Sequence, residues 1–174
     1  MAELYNGTSE GVKQVVDGFI DYALEVGINR AFPSIIDGLK TSQRRPIYAM
    51  DESKIYTLVK STKAVAAGIV YHPHGDEALY KTMARMARSN GSVLPSLIEG
   101  GGDLDKSYSN SGPAAMRYTY MCLSKEARDL LLRDLDGVPF KQTETDEGLE
   151  PVYLPARFPM ALTASTQGMG VGIA

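Results

Sequence analysis

The stretch TKAVAAGIVYHPHGDEALYKTMARMARS, residues 62–89, decides the fold because it predicts two helices joined by a tight turn. The small apolar run before Tyr71 is typical of a short, closely packed helix, and Asp76 can cap the helix that follows. In this second helix the spacing places Ala78, Leu79, Met83, Met86 and Ala87 inward and Lys81, Arg85 and Arg88 on the opposite side. The arrangement matches a helix-turn-helix, whose second helix enters the major groove of DNA. The pattern alone also fits an ordinary helical hairpin, and it favours that simpler alternative.

The flanking sequence predicts a mixture of helices and strands. Helices are indicated over residues 9–29, after Thr41, and over residues 115–135, each from apolar residues at helical spacing. Residues 91–112 are rich in glycine and turn-forming residues, which predicts short strands forming a β wing beside the helices. Residues 138–144 and 151–159 look extended. Together these elements predict an α+β fold.

Composition and charge narrow the class of protein. The chain has 174 residues, 44% of them hydrophobic, which suits one domain or one domain with the start of another. Cys122 is the single cysteine and the N-terminus lacks an apolar signal-peptide core, so a cytoplasmic protein without internal disulfides is expected. Net charge is −3, yet residues 30–90 hold ten Lys or Arg against five Asp or Glu. This basic middle is compatible with a polyanionic partner.

The two histidines of the chain, His72 and His74, flank Pro73 at the start of the second helix. A metal site needs three or four well-spaced donors, and neither a cysteine nor a third histidine assists here, so no metal is predicted on this chain. A serine hydrolase is not supported either, because the chain lacks a G-x-S-x-G nucleophile elbow. The favoured interpretation is that the imidazoles lie at a helix N-terminus, where backbone N–H groups attract phosphate.

Two further motifs bear on the chemistry of the chain. The glycine run EGGGDLDKS, residues 99–107, has the spacing of neither a P-loop nor a dinucleotide fingerprint, so it predicts a flexible turn. Arg117 and Tyr118 follow the turn SNSGPAA. A tyrosine hydroxyl has a pKa of about 10 and needs a neighbouring cation or base to act as a nucleophile. Arginine makes forked contacts to phosphate, so this pair could carry phosphoryl transfer, although spacing alone does not establish it.

Four blocks of sequence, in this order, resemble the A subunit of bacterial type IIA DNA topoisomerases, gyrase A and more closely topoisomerase IV A. They are NRAFPSIIDGLKTSQRRPIYAM at residues 29–50, YHPHGDEALYKTMARMA at 71–87, AAMRYTYMCLSK at 114–125 and LPARFPMALTASTQGMGVGIA at 154–174. The resemblance implies an N-terminal helical arm over residues 1–28 and a winged-helix breakage-reunion domain over 29–148. Residues 149–174 would then begin a truncated tower domain.

The resemblance also implies site residues. Tyr118 would attack a DNA phosphate and become a 5′-phosphotyrosyl intermediate, with Arg117 stabilising the developing charge. Active-site support and contacts to the DNA backbone would come from Arg30, Lys40, Arg44, Arg45, Lys63, His72, His74, Lys81 and Arg85. Met169 would intercalate between base pairs and bend the duplex.

Partners and cofactors follow from the same resemblance. The expected partners are double-stranded DNA, a second copy of the subunit in the full-length protein, and a B subunit with TOPRIM and ATPase domains. Mg²⁺ and ATP would be held by that B subunit. The expected activity is that of an ATP-hydrolysing type II topoisomerase, an isomerase of DNA topology, in a bacterial or phage-infected cell. The alternatives are a winged-helix DNA-binding module without cleavage activity and a free-standing metal-dependent nuclease that uses the histidines.

The sequence departs from the family pattern at positions beside the recognition helix. Glu77 and Lys81 stand where drug-sensitive relatives carry a serine and an acidic residue, so weak sensitivity to quinolones is expected. The glycine loop reads GGGDLD at residues 100–105, which alters its expected DNA contacts.

Overall fold

The computed structural model describes residues 2–88, 95–104, 112–146, 148–163, 168 and 170. The chain divides into two compact units, one formed by Met1–Phe32 with Gln167–Ala174 and the other by Pro33–Thr166. No helix among the described residues is long and apolar enough to cross a membrane. The predicted domain limits at residues 28 and 148 stay predictions.

The first unit is built on one long helix. Helix α1, Ala2–Val26, runs into a single π-helical turn, Gly27–Ala31, so the predicted helix is confirmed and begins earlier than expected. The helix ends at Phe32, whose backbone is extended, as expected for a residue that precedes a proline. The apolar side chains that gave the helical spacing are exposed: Val12, Val15, Val16, Phe19 and Ile20.

Three helices of the second unit agree with the prediction from sequence. They are α2, Thr41–Glu52, α3, Ser61–Ile69, and α4, Asp76–Met86. Helices α3 and α4 approach closely because Gly68 leaves room for Leu79, whose Cδ2 would lie 2.8 Å from a Cβ at position 68. The chain reverses between them at Gly75, where φ is +101°, a backbone conformation that glycine adopts without steric cost.

The inward face of α4 differs in part from the prediction. Leu79, Met83 and Met86 are buried as expected, whereas Ala78 is exposed and Ala87 is half-buried. Tyr80 and Ala84 are buried, although the apolar spacing did not assign them to the core.

Two small antiparallel sheets complete the second unit, and the α+β class is confirmed. Strands β1, Val59–Lys60, and β2, Ile98–Gly101, flank the central strand β3, Tyr120–Leu123. Strands β4, Phe140–Gln142, and β5, Leu149–Pro151, form a separate hairpin. Strand β2 lies in the region predicted to form the wing, and part of that region, residues 91–94 and 105–111, is outside the described residues.

The single long helix predicted over residues 115–135 is wrong. The chain instead forms a 3-10 turn at Met116–Tyr118, strand β3, and only then helix α5, Lys125–Ala127, which leads into a π-helical turn at Arg128–Leu132. Strand β3 pairs with β1 on one side and β2 on the other, and aromatic residues fit such a pleated surface. Ser124 then starts the helix, because its Oγ accepts a hydrogen bond from the Ala127 N–H at 3.0 Å.

The core of the second unit lies between helices α2–α4 and the three-stranded sheet. Its fully buried large side chains are Leu39, Ile47, Met50, Leu79, Met83, Met86, Leu97, Ile98, Met121, Leu123, Leu131 and Leu154. Leu154 and the buried Met160 belong to the segment predicted to begin a tower domain, and both join this same core. The core therefore supports the elements that carry the candidate site.

Candidate active site

Tyr118 is presented at the end of a short turn, immediately before the central strand. Its backbone N–H donates to the carbonyl of Ala115 at 2.9 Å, and its side chain is 63% exposed. The guanidinium carbon of Arg117 lies 4.8 Å from the centre of the Tyr118 ring. The exposed ring of Tyr118 thus lies beside a permanent positive charge.

A chain of buried hydroxyl groups supports this turn from behind. Thr119 Oγ1 lies 2.7 Å from Ser61 Oγ and 2.9 Å from Tyr80 Oη, and the Tyr80 hydroxyl also donates to the Ala114 carbonyl. The Ser61 N–H donates to the Thr119 carbonyl at 3.0 Å. Ser61 and Thr119 are fully buried, so these bonds are shielded from water. The hydroxyl chain fixes both ends of the segment that carries Arg117 and Tyr118.

Lys60 holds the same turn from the outer side. Its Nζ donates to the Arg117 carbonyl at 3.2 Å and lies 4.2 Å from the centre of the Tyr120 ring, a cation–π distance. Lys60 and Tyr120 are directly paired across strands β1 and β3. These supporting roles are not evident from the sequence. Lys60 and Ser61 lie outside the four blocks, and Tyr80 and Thr119 lie inside them, but their hydrogen-bond partners are distant along the chain.

A cleft of about 480 Å³ opens beside Arg117. It lies between the start of α4 and the segment before the tyrosine, and its lining includes Thr62, Glu77, Tyr80, Lys81, Met116 and Arg117. Lys81 Nζ is 2.7 Å from Glu77 Oε1, one helical turn away, and both side chains are exposed. Hydrogen bonding and charge attraction from Lys81 lower the pKa of the Glu77 carboxyl. The two residues that depart from the family pattern therefore contact each other at the mouth of this cleft.

The two histidines belong to an ionic network at the turn before α4. Their ring centres are 4.7 Å apart, and His72 Nδ1 lies 3.3 Å from Arg45 Nη1. His74 Nε2 lies 2.8 Å from Glu144 Oε2, while Glu144 Oε1 accepts from Arg45 Nη1 at 2.9 Å. Burial, together with the charges of His74 and Arg45, lowers the pKa of His72 to about 4.

Arg44 and Arg45 lie inside the unit, although the resemblance implied contacts to the DNA backbone. Arg44 makes a two-pronged ion pair with the fully buried Asp37, at 2.6 and 3.1 Å, and is itself only 8% exposed. Arg45, 4% exposed, pairs in the same way with the buried Glu150. Either guanidinium could reach a phosphate only if an ion pair opened, so the geometry favours a structural role. Their role as DNA contacts stays a prediction.

The remaining predicted residues lie in different places. Lys63 on α3 and Arg85 on α4 are exposed. Lys40 is half-buried, and burial together with the nearby positive charge of Arg85 lowers its pKa. Arg30 is exposed on the π-helical turn of the first unit, and Met169 lies outside the described residues.

No group of three or more His, Cys, Asp or Glu side chains in the described part of the chain is placed to hold a metal ion.

Comparison with known proteins identifies the family. The model of the DNA gyrase/topoisomerase IV A-subunit family matches residues 30–174. The DNA gyrase A subunit of Leptospira biflexa is 40% identical over 167 residues, covering 92% of this chain and 20% of the relative. The DNA gyrase A subunit of Dehalogenimonas lykanthroporepellens is 37% identical over 166 residues, which cover 92% of this chain and 20% of the relative. The DNA gyrase A subunit of Spiroplasma citri is 39% identical over 167 residues, which cover 92% of this chain and 72% of the relative.

The chain thus spans about a fifth of the length of the first two of these relatives. The predicted closer likeness to topoisomerase IV stays a prediction. The match over most of the chain confirms the family that the four sequence blocks indicated: the chain belongs to the DNA gyrase/topoisomerase IV A-subunit family.

Proposed function

We propose that this chain supplies the DNA cleavage and religation site of an ATP-dependent type IIA DNA topoisomerase. The single observation that carries the proposal is the geometry of Tyr118, an exposed tyrosine whose ring lies beside the Arg117 guanidinium on a turn held by buried hydrogen bonds. Membership of the DNA gyrase/topoisomerase IV A-subunit family supports it. The activity of the complete enzyme is that of an isomerase, which changes DNA topology by passing one duplex through a transient double-strand break.

The chemistry is an exchange of one phosphodiester bond for another. The Tyr118 oxygen attacks phosphorus, a new bond joins it to the 5′-phosphate, and the bond to the 3′-oxygen breaks. The tyrosine loses its proton and the released 3′-oxygen gains one, so the step balances. Arg117 attracts the charge that builds on the phosphate oxygens. Because the tyrosyl ester conserves the energy of the broken bond, the released 3′-hydroxyl can reverse the step.

DNA binding is proposed to use a winged helix formed by α3, the histidine turn, α4 and the three-stranded sheet. Lys63 and Arg85 supply exposed positive charge on its two helices, and Lys81 extends from α4 beside the cleft. Such charges neutralise phosphates and position the duplex without reading its sequence. Arg30, Lys40 and His74 complete the proposed contacts, and Met169 would bend the duplex by intercalation.

The proposed assembly contains more than this chain. A B subunit with TOPRIM and ATPase domains would hold Mg²⁺ and ATP, and two copies of the present chain would cleave the two DNA strands. Residues 149–174 would lead into a tower domain. We place the complete enzyme in the cytoplasm, associated with DNA.

The nucleophile is tested by one substitution in the complex with the cognate B subunit. Tyr118→Phe removes the attacking oxygen and keeps the ring, so covalent protein–DNA adducts on supercoiled plasmid should fall by at least about 10³-fold, as for other catalytic nucleophiles. Adducts are measured by denaturing gel after trapping with detergent.

Tyr22→Phe is the matched control, because Tyr22 is 57% exposed, close to the 63% of Tyr118, and lies on α1. It should form adducts at the wild-type level. Adducts that persist in Tyr118→Phe would contradict the proposed nucleophile. Wild-type protein that binds DNA and forms no adduct would instead support a DNA-binding module without cleavage activity.

A further inference from the structure

Glu144 occupies hydrogen-bond donors that are suited to a phosphate. One carboxylate oxygen is 2.8 Å from His74 Nε2 and the other is 2.9 Å from Arg45 Nη1. The carboxylate thus bridges an imidazole and a guanidinium, two groups that bind the oxygens of phosphate in the same way. While Glu144 stays in place, neither donor is available to DNA.

The two carboxylates that hold Arg45 differ in burial. The Glu150 side chain is 4% exposed and makes a two-pronged pair with Arg45, whereas the Glu144 side chain is 43% exposed. Glu144 lies in the turn between β4 and β5, where Thr143 and Gly148 close the hairpin. Glu144 can therefore swing into solvent while Glu150 keeps Arg45 neutralised and in position.

Charge makes coexistence of Glu144 and a phosphate at these donors unfavourable. Burial alone would raise the pKa of Glu144, but hydrogen bonding and charge attraction from Arg45, with the charges of the two histidines, lower it. Glu144 is therefore an anion at neutral pH, and a phosphate that approached His74 would meet a like charge at contact distance. One anion must leave for the other to bind.

We propose that Glu144 fills an anion site made by His74 and Arg45, and that a phosphate of the DNA backbone displaces it when the duplex binds. This inference rests on the proposed function, since it takes DNA as the ligand. It makes Glu144 a residue that sets DNA affinity without contacting DNA. It would also explain how the buried Arg45 can contact DNA, because displacement of Glu144 frees the Arg45 Nη1 donor.

The test measures duplex affinity by fluorescence anisotropy with the full chain in complex with its B subunit. Glu144→Gln removes the competing charge and keeps the side-chain size, so we expect the dissociation constant to fall about 5-fold. A change of about 5-fold corresponds to a site that is open about one-fifth of the time, because the apparent dissociation constant is the intrinsic constant divided by the open fraction. Glu144 would then occupy the donors for roughly four-fifths of the time. Glu144→Asp keeps the charge on a shorter side chain that cannot reach both donors, and its affinity should also rise.

Asp146→Asn is the matched control for charge. Asp146 is an exposed residue of the same turn with φ of +56°, a conformation that asparagine tolerates, so the variant changes the charge of the turn by the same amount. It should change affinity by less than about 2-fold, as for a charge without a specific partner. Thermal unfolding of each variant checks that the hairpin remains folded.

The competing outcomes are distinct. Equal effects of Glu144→Gln and Asp146→Asn would overturn the inference and assign the gain to general charge. Weaker binding by Glu144→Gln would also overturn it, because Glu144 would then orient His74 for DNA. In a His74→Ala background the gain should shrink, since one of the two donors is gone.

Failure of this inference is separable from failure of the proposed function. Unchanged affinities in the Glu144 variants, with adducts that still depend on Tyr118, would remove only the role of Glu144. An increase in affinity together with adducts that do not need Tyr118 would remove only the proposed nucleophile.

Discussion

At the scale of single residues, His72 shows how the ionic network fixes a protonation state. Its pKa of about 4, lowered by burial and by the charges of His74 and Arg45, keeps the ring neutral at pH 7. Arginine can only donate, so the contact at 3.3 Å makes His72 Nδ1 the acceptor and leaves the ring proton on Nε2. The ring therefore retains one donor of its own for further contacts.

This protonation state predicts a pH dependence of stability. Between about pH 6.5 and pH 4 the unfolded chain binds a proton at His72 that the folded chain does not, so the free energy of unfolding falls as pH decreases through that range. In His72→Gln, which keeps an acceptor for Arg45, the fall should be smaller. Urea unfolding of both proteins at about pH 7 and about pH 5 measures the difference, and equal falls in the two proteins would contradict the assignment.

Some site residues could be predicted from sequence and others could not, for a physical reason. Arg117 and Tyr118 belong to a contiguous motif, and the structure places them side by side. Arg44 and Arg45 look like surface charge in the sequence, because their carboxylate partners lie seven and 105 residues away. Glu144 sits in a turn without a motif, so only the fold brings it to His74.

At the scale of elements, strand β3 and its neighbours determine where Tyr118, the proposed nucleophile, lies. The hydroxyl chain of Ser61, Thr119 and Tyr80 joins α3, the residue immediately before β3, and α4 behind the turn that carries Tyr118. Such a buried, mutually bonded set restricts the turn to one arrangement. Misplacement of a reacting group by about 1 Å can cost about a hundredfold in rate.

Removal of the Tyr80 hydroxyl should therefore slow cleavage without weakening DNA binding. Tyr80→Phe frees the Ala114 carbonyl and one side of Thr119 while the ring still fills its place in the core. We expect the single-turnover rate of adduct formation to fall about tenfold or more, with an unchanged dissociation constant for DNA. Quenched-flow measurement with the complete complex in excess over DNA gives the rate, and fluorescence anisotropy gives the dissociation constant.

Tyr56→Phe is the matched control for that variant. Its hydroxyl donates to Asp51 Oδ1 at 2.8 Å, and both residues lie outside the hydroxyl chain, so its loss should leave the cleavage rate unchanged. A Tyr80→Phe protein that cleaves at the wild-type rate would show that the turn holds its position without the hydroxyl chain.

Secondary structure can be predicted where the local sequence determines it. It cannot be predicted where pairing with strands distant in sequence determines it. Helices α3 and α4 follow from apolar spacing and a turn at Gly75, and the structure confirms them. The apolar residues between Met116 and Leu135 also recur at helical spacing, yet β3 forms because strands from two other parts of the chain pair with it. Long-range pairing of this kind leaves no local signal.

At the scale of the whole molecule, Asp37 connects segments that are far apart in sequence. Its carboxylate accepts from the Arg44 guanidinium, from the Leu39 N–H at 3.0 Å and from the Leu154 N–H at 2.9 Å. The side chain is fully buried, so each of these donors lacks water as a substitute. The carboxylate thereby ties the loop before α2 to the segment after β5.

Asp37→Asn should destabilise the protein substantially. The substitution leaves the buried Arg44 charge unbalanced, and breaking a buried pair in this way costs about 3–5 kcal/mol. Urea unfolding followed by circular dichroism measures the loss. Glu77→Gln, which removes one partner of the exposed pair with Lys81, should leave the unfolding midpoint unchanged. A loss in Asp37→Asn no larger than that of this control would contradict the role of Asp37.

The carboxylate of Glu144 has a consequence beyond DNA affinity. Without Glu144, the donor groups of Arg45 and His74 would attract small anions such as chloride, free phosphate and nucleotides. Because Glu144 is tethered beside His74 and Arg45, its effective concentration there far exceeds that of dilute solutes. A duplex presents many phosphates at once from a fixed lattice, so it can displace the tethered group where single ions cannot. On this proposal, Glu144 excludes single small anions from Arg45 and His74, and only a DNA duplex displaces it.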